Sequence, residues 1–175
     1  MPKSRFPCQA GGGFCALTPA SVNKSNMHNA ITAFLTTSAY HPCLLLVHPE
    51  VRRLEDAANE LVSAYEWPRL SVGRELCAVL LSDPPIRRSR TARRWMETRL
   101  GQMAPGPVLC TEIDLLFEPM LKLNPLGLLR HASRVTRLVV TWSGSYLHDV
   151  LAYAVPGHGH YRTWRKPEVS IVVLE

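Results

Sequence analysis

The chain has 175 residues, of which 46% are hydrophobic and 19% are charged. This length suits one α/β domain, and the composition is that of a globular protein, which excludes disorder throughout the chain. Its apolar runs, such as Cys43 to Val47, fall far short of the about 20 residues that a membrane-spanning helix needs, so we expect no membrane partner.

The five cysteines are irregularly spaced, and Cys43, Cys77 and Cys110 lie in apolar stretches. Because a reduced thiol packs as a small hydrophobic group, this pattern predicts reduced cysteines in a cytoplasmic protein. The N-terminus carries Lys3 and Arg5 but no apolar segment after them, so the sequence does not predict a secretory signal.

Residues 1–26 contain Gly, Pro, Ser and Asn without a helical or strand period, which predicts a mobile tail. A helical pattern opens at Met27, and we hypothesise that the natural protein starts there, with residues 1–26 an upstream extension of the reading frame. Detection of this tail by mass spectrometry of protein made from the native locus would reject the hypothesis. We expect residues 27–175 to form a single domain.

Along this domain, short apolar runs alternate with helical patterns. Strands are predicted at Cys43–Val47, Leu70–Val72, Pro107–Cys110, Arg137–Trp142 and Val169–Leu174. Helices are predicted from Met27, over Glu50–Tyr65, Arg74–Leu81 and Thr91–Met103, and from Pro125 to about Arg134 with Asn124 as the cap. Apolar strands separated by helices indicate a three-layer α/β sandwich with a mainly parallel five-stranded sheet.

In such a sheet, ligands bind beyond the carboxyl ends of the strands, so the segment after the first strand is the first candidate site. It reads His48, Pro49, Glu50, Val51, Arg52, Arg53, Leu54 and Glu55. A phosphate-binding P-loop has the pattern G-x-x-x-x-G-K-[ST]. Here His48 and Arg53 stand in place of the glycines. Leu54 stands in place of the lysine, and Glu55 in place of the hydroxyl residue.

The lost hydrogen bonds and backbone freedom correspond to about two to four powers of ten in affinity for a triphosphate. We therefore expect no cofactor, or weak binding of ATP and magnesium assisted by Arg52 and Arg53 at a helix N-terminus. The alternative interpretation is that this segment is only a solvated first helical turn.

Acidic residues follow the third predicted strand. Glu112 and Asp114 are candidate catalytic residues, because a Walker B element needs one acid for magnesium and one for the attacking water. Thr111 stands where the magnesium-binding Asp would be. Acids after a buried strand also serve solubility or capping alone. Thr141 and Arg162 are candidate sensor residues, by their positions along the chain.

A metal site would have to be built from His148, Asp149, His158 and His160. One H-x-H pair without cysteines or a helical i, i+4 pair is a weak metal signal, so the sequence predicts no metal site. Instead, the Pro-Gly pair at 156–157 predicts a fixed turn, with Tyr161 and Trp164 packing over the sheet edge.

The segment from Arg87 to Arg99 carries most of the net charge. It contains one acid and six arginines: Arg87, Arg88, Arg90, Arg93, Arg94 and Arg99. Its charge of +5 leaves only +1 for the other 162 residues. Because phosphates attract such clusters irrespective of sequence, these arginines are candidate nucleic-acid contacts and DNA is a candidate partner. The alternatives are a solvated helix and an acidic protein partner.

Three segments resemble a known family: Phe117–Leu126 (FEPMLKLNPL), Val139–Gly144 (VVTWSG) and, most specifically, Tyr153–Arg162 (YAVPGHGHYR). Together they are similar to BrxF, the small P-loop-containing protein of type 3 BREX (bacteriophage exclusion) defence systems in bacteria. The resemblance covers about Tyr40 to Leu174. It implies a P-loop NTPase-like fold and a role in restricting phage, with a methyltransferase and large ATPase subunits as partners.

Since the phosphate-binding pattern is degenerate, we expect a non-catalytic or weakly nucleotide-binding subunit that acts through assembly. One alternative is an active ATPase or nucleotide switch with unconventional phosphate contacts. Another is a nucleic-acid-binding module that uses the segment from Arg87 to Arg99.

Overall fold

The computed structural model describes residues 24–175, which contain five α-helices and seven β-strands. The strands are β1 Cys43–His48, β2 Arg69–Ser71, β3 Val108–Thr111, β4 Leu138–Leu147, β5 Val150–Tyr153, β6 Arg162–Arg165 and β7 Ser170–Val173. The helices are α1 Lys24–Thr36, α2 Val51–Tyr65, α3 Val72–Leu81, α4 Arg88–Gln102 and α5 Pro125–Ala132. Two 3-10 segments, Ile113–Phe117 and Pro119–Leu121, lie between β3 and α5.

Five of the strands form a parallel sheet in the order β2-β3-β4-β1-β7, which confirms the predicted mainly parallel sheet. β1 lies inside the sheet, where Leu45 pairs with Val140 of β4 on one side and Ile171 of β7 on the other. After β1 the chain crosses to the edge of the sheet to form β2, and β3 and β4 then fill the space between β2 and β1. The last parallel strand, β7, lies on the other side of β1. Such a reversal of strand order opens a crevice at the carboxyl ends of the strands.

Both faces of this sheet are covered by helices, as predicted. Leu44 and Leu46 pack in a cluster with side chains of α1 and α2, whereas Leu45 and Val47 pack in a second cluster with α3, α4 and α5. These four residues are no more than 2% exposed. Burying such a side chain stabilises the fold by about 1.5 to 3 kcal/mol, and burial on both faces explains why β1 is continuously apolar.

The sheet has two strands that the sequence analysis did not predict. β4 continues past Trp142 to Leu147, and a turn with positive φ at His148 (48°) and Asp149 (59°) leads into β5. β5 pairs antiparallel with β4 and β6. β6 alternates between half-buried and exposed residues, so the pattern used for buried strands does not mark it. β5 is a short apolar run, VLAY, with three of its four residues buried, and it was overlooked in the sequence.

The antiparallel extension is fixed by close packing and aromatic contacts. A Cβ on Gly144 would lie 2.0 Å from the carbonyl oxygen of Ala152, so the two strands leave no room for a side chain there. Trp142 donates from Nε1 to that same carbonyl at 2.9 Å. Trp164 meets the Trp142 ring edge-on, with 5.3 Å between the ring centroids, which agrees with the predicted packing of Trp164 on the sheet. Tyr161, predicted to pack beside it, is 38% exposed instead.

Helix α1 begins at Lys24, so residues 24–26, predicted as part of a tail, belong to its first turn. The rest of the predicted tail, and the hypothesis about its origin, lie outside the described residues. Helix α5 has the predicted cap, because Asn124 accepts a hydrogen bond from the backbone N–H of Gly127 at 3.1 Å.

The three cysteines in the described range are free thiols. Cys43 and Cys110 are buried in the sheet, and burial raises the pKa of Cys43 to about 12 and moves that of Cys110 in the same direction. Cys77, predicted to be buried, is exposed because α3 turns Val72, Leu76 and Leu80 toward the core instead. None of the helices in residues 24–175 is both long and apolar enough to cross a membrane.

Candidate functional site

The chain passes from β1 into α2 through only two residues, Pro49 and Glu50. The backbone N–H of Glu50 donates to Nδ1 of His48 at 3.0 Å, and the helix begins at the next residue. A phosphate-binding loop needs several residues between strand and helix, since their N–H groups surround the phosphate. This turn is too short to surround one.

The side chains that follow the turn lie in the first turns of α2. Arg52 and Arg53 are exposed, and Leu54, in the place of the P-loop lysine, is only 4% exposed and packs in the core. Glu55 accepts a hydrogen bond from Arg69 at 2.7 Å, and this bond holds the pKa of the Glu55 carboxyl below its ordinary value. This segment therefore offers packing and a carboxylate where a P-loop offers a cation and a hydroxyl.

Arg69, at the start of β2, connects three elements of the fold. Its Nη2 donates to Glu55 of α2 and its Nη1 to Asn59 of α2 at 3.0 Å. Its Nε donates to Oγ1 of Thr111 on β3 at 3.1 Å. The planar guanidinium is thus bonded through all three nitrogens, and it holds α2 against the sheet.

Glu112, the first candidate catalytic acid, contacts the start of α3. It accepts a hydrogen bond from Oγ of Ser71 at 2.5 Å and lies 3.8 Å from the guanidinium of Arg74. Its backbone is left-handed (φ 54°), and its carbonyl oxygen approaches Gly73 so closely that a Cβ there would lie 2.7 Å away. The residue therefore fixes the turn after β3 against α3.

Asp114, the second candidate acid, accepts a hydrogen bond from the hydroxyl of Tyr153 on β5. Burial, together with this bond, raises the pKa of Tyr153 above its ordinary value. The ring of Tyr153 stacks on Phe117, which packs in the core beneath. Asp114 therefore joins the segment after β3 to the antiparallel extension.

A small pocket of about 60 Å³ lies at the carboxyl ends of β1, β3 and β4. Its polar lining consists of Glu55, Glu112, Asp114, Thr111, Thr141 and Ser143. The structure thus brings the candidates Glu112, Asp114 and Thr141 to one place. Ligand pockets commonly measure about 300 to 1,000 Å³, so this pocket does not enclose a nucleotide. Three carboxylates and no cation line it within residues 24–175, an arrangement that repels phosphate.

An open cleft of about 420 Å³ lies beside this pocket, between α2, β2 and α3. It is lined by Glu55, Arg69, Ser71, Arg74, Glu75 and Glu112. Its two arginines face three carboxylates, so the cleft has no excess of positive charge to attract an anion. Sequence reasoning missed Arg69 because no motif marks it. Its role depends on partners in elements that are distant along the chain.

The two candidate sensor residues have different positions. Thr141 is 7% exposed, lines the small pocket and donates from Oγ1 to the carbonyl of Cys110 at 3.4 Å. Arg162 lies on β6, outside that lining, and donates to the carbonyls of Phe117 at 3.1 Å and Leu123 at 2.7 Å. Its guanidinium fastens β6 to the 3-10 segments.

The histidine-rich turn after β5 is built as the Pro-Gly pair predicted. Gly157 has a positive φ of 91°, and the backbone N–H of His158 donates to the carbonyl of Val155 at 3.0 Å. His160 lies 3.5 Å from the carboxylate of Glu118. Within the described part of the chain, no group of three or more His, Cys, Asp or Glu side chains is placed to hold a metal ion.

The structure divides the arginine segment into two groups. Arg88 donates from Nε to the carbonyl of Asp83 at 3.0 Å, and Arg99 donates from Nε to the carboxylate of Glu75 at 2.8 Å. These two arginines hold α4 to the preceding turn and to α3. Within this segment, the arginines that are exposed and have no hydrogen bond or ion pair to a described residue are Arg87, Arg90, Arg93 and Arg94.

The small pocket and the open cleft, which share Glu55 and Glu112 and together form the crevice at the carboxyl ends of the strands, differ from the α4 surface in what they can bind. In the crevice, Glu112, Asp114 and Arg69 are each bonded to a neighbouring element, and these bonds stabilise the fold. Four guanidinium groups, three on α4 and that of the N-cap residue Arg87, have no hydrogen bond or ion pair to a described residue. No protein-family model, curated protein sequence or solved structure matches this chain.

Proposed function

We propose that this chain is a non-catalytic subunit of a bacterial phage-defence system of the BREX type, with a P-loop NTPase-like scaffold. The observation that carries this proposal is the direct strand-to-helix turn at Pro49 and Glu50. The crevice where such a fold binds its nucleotide has no loop around a phosphate, and the subunit acts by assembly with other components.

The sheet topology supports the P-loop NTPase-like scaffold. β1 lies inside a parallel sheet, and the crevice lies where the strand order reverses, which is where nucleotide-binding α/β folds place their ligands. Glu112 and Asp114 follow β3 at the same edge, as acids follow the strand of a Walker B element, with Thr111 in place of the magnesium-binding Asp. The resemblance of the segments at 117–126, 139–144 and 153–162 to BrxF supports the link to phage defence.

The contacts of the acids favour a structural role over catalysis. Glu112 is bonded to Ser71 and lies near Arg74, and Asp114 is bonded to Tyr153. A catalytic acid would need magnesium and a bound triphosphate beside it, and the three carboxylates of the pocket disfavour a triphosphate. The partners of the subunit are then the methyltransferase and the large ATPase of the system, which supply the chemistry.

A phage-restriction assay in a bacterium that carries the complete defence system tests this proposal. We expect deletion of the chain to abolish restriction, and the tagged chain to co-purify with the methyltransferase or the large ATPase. We expect Glu112→Gln to keep restriction, because glutamine still accepts the hydrogen bond from Ser71. Glu97→Gln on α4 is the matched control, since it removes one carboxylate elsewhere.

The active-ATPase alternative predicts the opposite result for the acid. If Glu112→Gln abolished restriction and magnesium-dependent ATP hydrolysis while the variant still co-purified with its partners, the subunit would be catalytic. Failure of the wild-type chain to associate with any component of the system would contradict its role in assembly.

A further inference from the structure

The unpaired arginines at the N-cap of α4 and along the helix form one continuous surface. Arg87, Arg90 and Arg94 are spaced i, i+3 and i+7, which places them along one stripe of the helix, and Arg93 lies beside them. At 1.5 Å of rise per residue, the stripe from Arg87 to Arg94 is about 10 Å long. Phosphates of one DNA strand follow each other every 3.4 Å along the duplex axis, so the stripe spans about three such steps and faces about four phosphates.

The helix that carries this surface is fixed to the domain. Its inner side buries Ala92, Met96 and Leu100, each 0% exposed. Its beginning is held by Asp83, whose carboxylate accepts from Thr91 at 2.6 Å, and the Arg99–Glu75 pair holds its end. The stripe is therefore presented on a rigid element, and little conformational entropy is lost from the backbone on binding.

Few other charges compete with these arginines. The one acid of α4, Glu97, lies 3.5 Å from the imidazole of His131. The stripe also begins at the N-terminus of the helix, where the macrodipole adds positive potential. Electrostatically, this is a strongly basic surface on a chain whose remaining charge is close to balanced.

The composition of the surface favours phosphate over a protein partner. The exposed positions of α4 hold only polar, charged or glycine residues, and Ile86, 92% exposed, is the exposed apolar residue next to the stripe in sequence. The centre of a protein interface is instead mostly apolar and aromatic. Interfaces with DNA are more polar and more positively charged.

The same surface favours duplex over single-stranded nucleic acid. Single strands are bound by stacking of the bases on exposed aromatic side chains. In residues 26–175 the exposed large aromatic residues are Tyr40 and Tyr161, and neither lies on α4. Trp95, which does, packs against the core.

We infer that the stripe formed by Arg87, Arg90, Arg93 and Arg94 binds the phosphate backbone of duplex DNA without sequence preference. This inference is independent of the nucleotide crevice and of the defence system. It assigns to the isolated chain a binding surface in addition to its role in assembly.

Fluorescence anisotropy of the purified full chain with a labelled duplex, at several salt concentrations, tests the inference. Four phosphate contacts give a log–log slope of about −3.6, so raising salt from about 50 to about 200 mM weakens binding about 150-fold. For the variant Arg90→Ala/Arg94→Ala we expect a slope of about −1.8 and a loss of about 12-fold over the same range. Alanine keeps the helix, because it has the highest helix propensity.

The matched control is Arg52→Ala/Arg53→Ala, which removes the same charge from α2 in the opposite helical layer. We expect it to keep the wild-type slope. The inference is overturned if the wild-type chain does not bind duplex at low salt, or if both double variants lose affinity equally. Binding to single-stranded DNA more tightly than to duplex would also overturn it. So would binding to polyglutamate that is as tight as binding to duplex and depends on Arg90 and Arg94.

Discussion

The crevice at the carboxyl ends of the strands and the outer face of α4 both contain arginines, but those arginines have different surroundings. In the crevice, Arg69 is bonded to Glu55, Asn59 and Thr111. On α4, Arg90 and its neighbours in the stripe contact no acid of the described chain. An arginine with filled donors stabilises the fold, and an arginine with free donors is available to a ligand.

This comparison separates two ways of locating a site. Fold topology indicates the crevice, because α/β proteins bind ligands where the strand order reverses. The largest group of unpaired arginines lies at α4, on the far side of the sheet from α2, where Arg52 and Arg53 are a smaller unpaired group. In this chain the two criteria disagree, and the contacts of the individual arginines decide between them.

The largest difference in stability between the two regions should appear when one arginine of each is replaced by methionine. Arg69→Met leaves the buried Thr111 hydroxyl and the Glu55 carboxylate without their donor. We expect the free energy of unfolding to fall by about 2 to 3 kcal/mol. Arg94→Met should change it by no more than about 0.5 kcal/mol, because Arg94 is exposed and unpaired. Urea unfolding followed by circular dichroism measures both, and equal losses would remove the distinction.

A smaller difference is expected when a glycine of each region is replaced by alanine, because one replacement should lower stability and the other should raise it. Gly73→Ala places a Cβ 2.7 Å from the carbonyl of Glu112, and we expect a loss of about 1 to 2 kcal/mol. Gly101→Ala in α4 meets nothing closer than Val135 at 3.9 Å, so its better helix propensity should raise stability by up to about 1 kcal/mol. Thermal unfolding compares them, and a neutral Gly73→Ala would show that α3 is loosely packed against the crevice.

The smallest effect is a pH dependence. The hydrogen bond from Arg69 holds the pKa of Glu55 below its ordinary value. Such a carboxyl stabilises the fold above its unfolded pKa of about 4.3, and the contribution disappears as pH falls through the lower folded pKa. Since the side chain is 48% exposed, we expect less than about 1 kcal/mol in total.

Denaturant unfolding of Glu55→Gln at neutral and acid pH measures this contribution. The stability difference between wild type and Glu55→Gln should shrink as pH falls to about 3, where the carboxyl becomes protonated. The difference between wild type and Arg90→Ala should stay constant, because no carboxylate pairs with Arg90. A constant difference for Glu55→Gln would show that its bond to Arg69 adds nothing to stability.

The sequence was sufficient for the parallel core and insufficient for the contacts that define the site. Apolar runs located β1, β3, β4 and β7, and Asn124 located the start of α5. β2 has one buried residue and no apolar run, and Val72, predicted as its end, begins α3. The antiparallel strand β6 was missed because its residues are only partly buried and form no apolar run. β5 does form an apolar run, VLAY, but it follows β4 after only two residues, without the helix that was expected between strands.

The candidate site could be predicted in part, from the positions of polar residues after the parallel strands. Acids after β3 and a hydroxyl at the end of β4 meet at one edge because parallel strands align there, so Glu112 and Thr141 could be placed together. The contacts of Arg69 could not be predicted, since its partners are 10 to 42 positions away. The sequence also could not show that Arg88 is bonded while Arg90 is free, because the partner of Arg88 is a backbone carbonyl, which no residue type marks.

Calorimetric titration of the full chain with magnesium and ATP tests the central claim most directly. With no loop around the phosphates and three carboxylates in the pocket, we expect no saturable heat at micromolar nucleotide. The affinity should be about two to four powers of ten below that of an intact phosphate-binding loop. A micromolar Kd that is lost in Glu112→Gln would contradict the account.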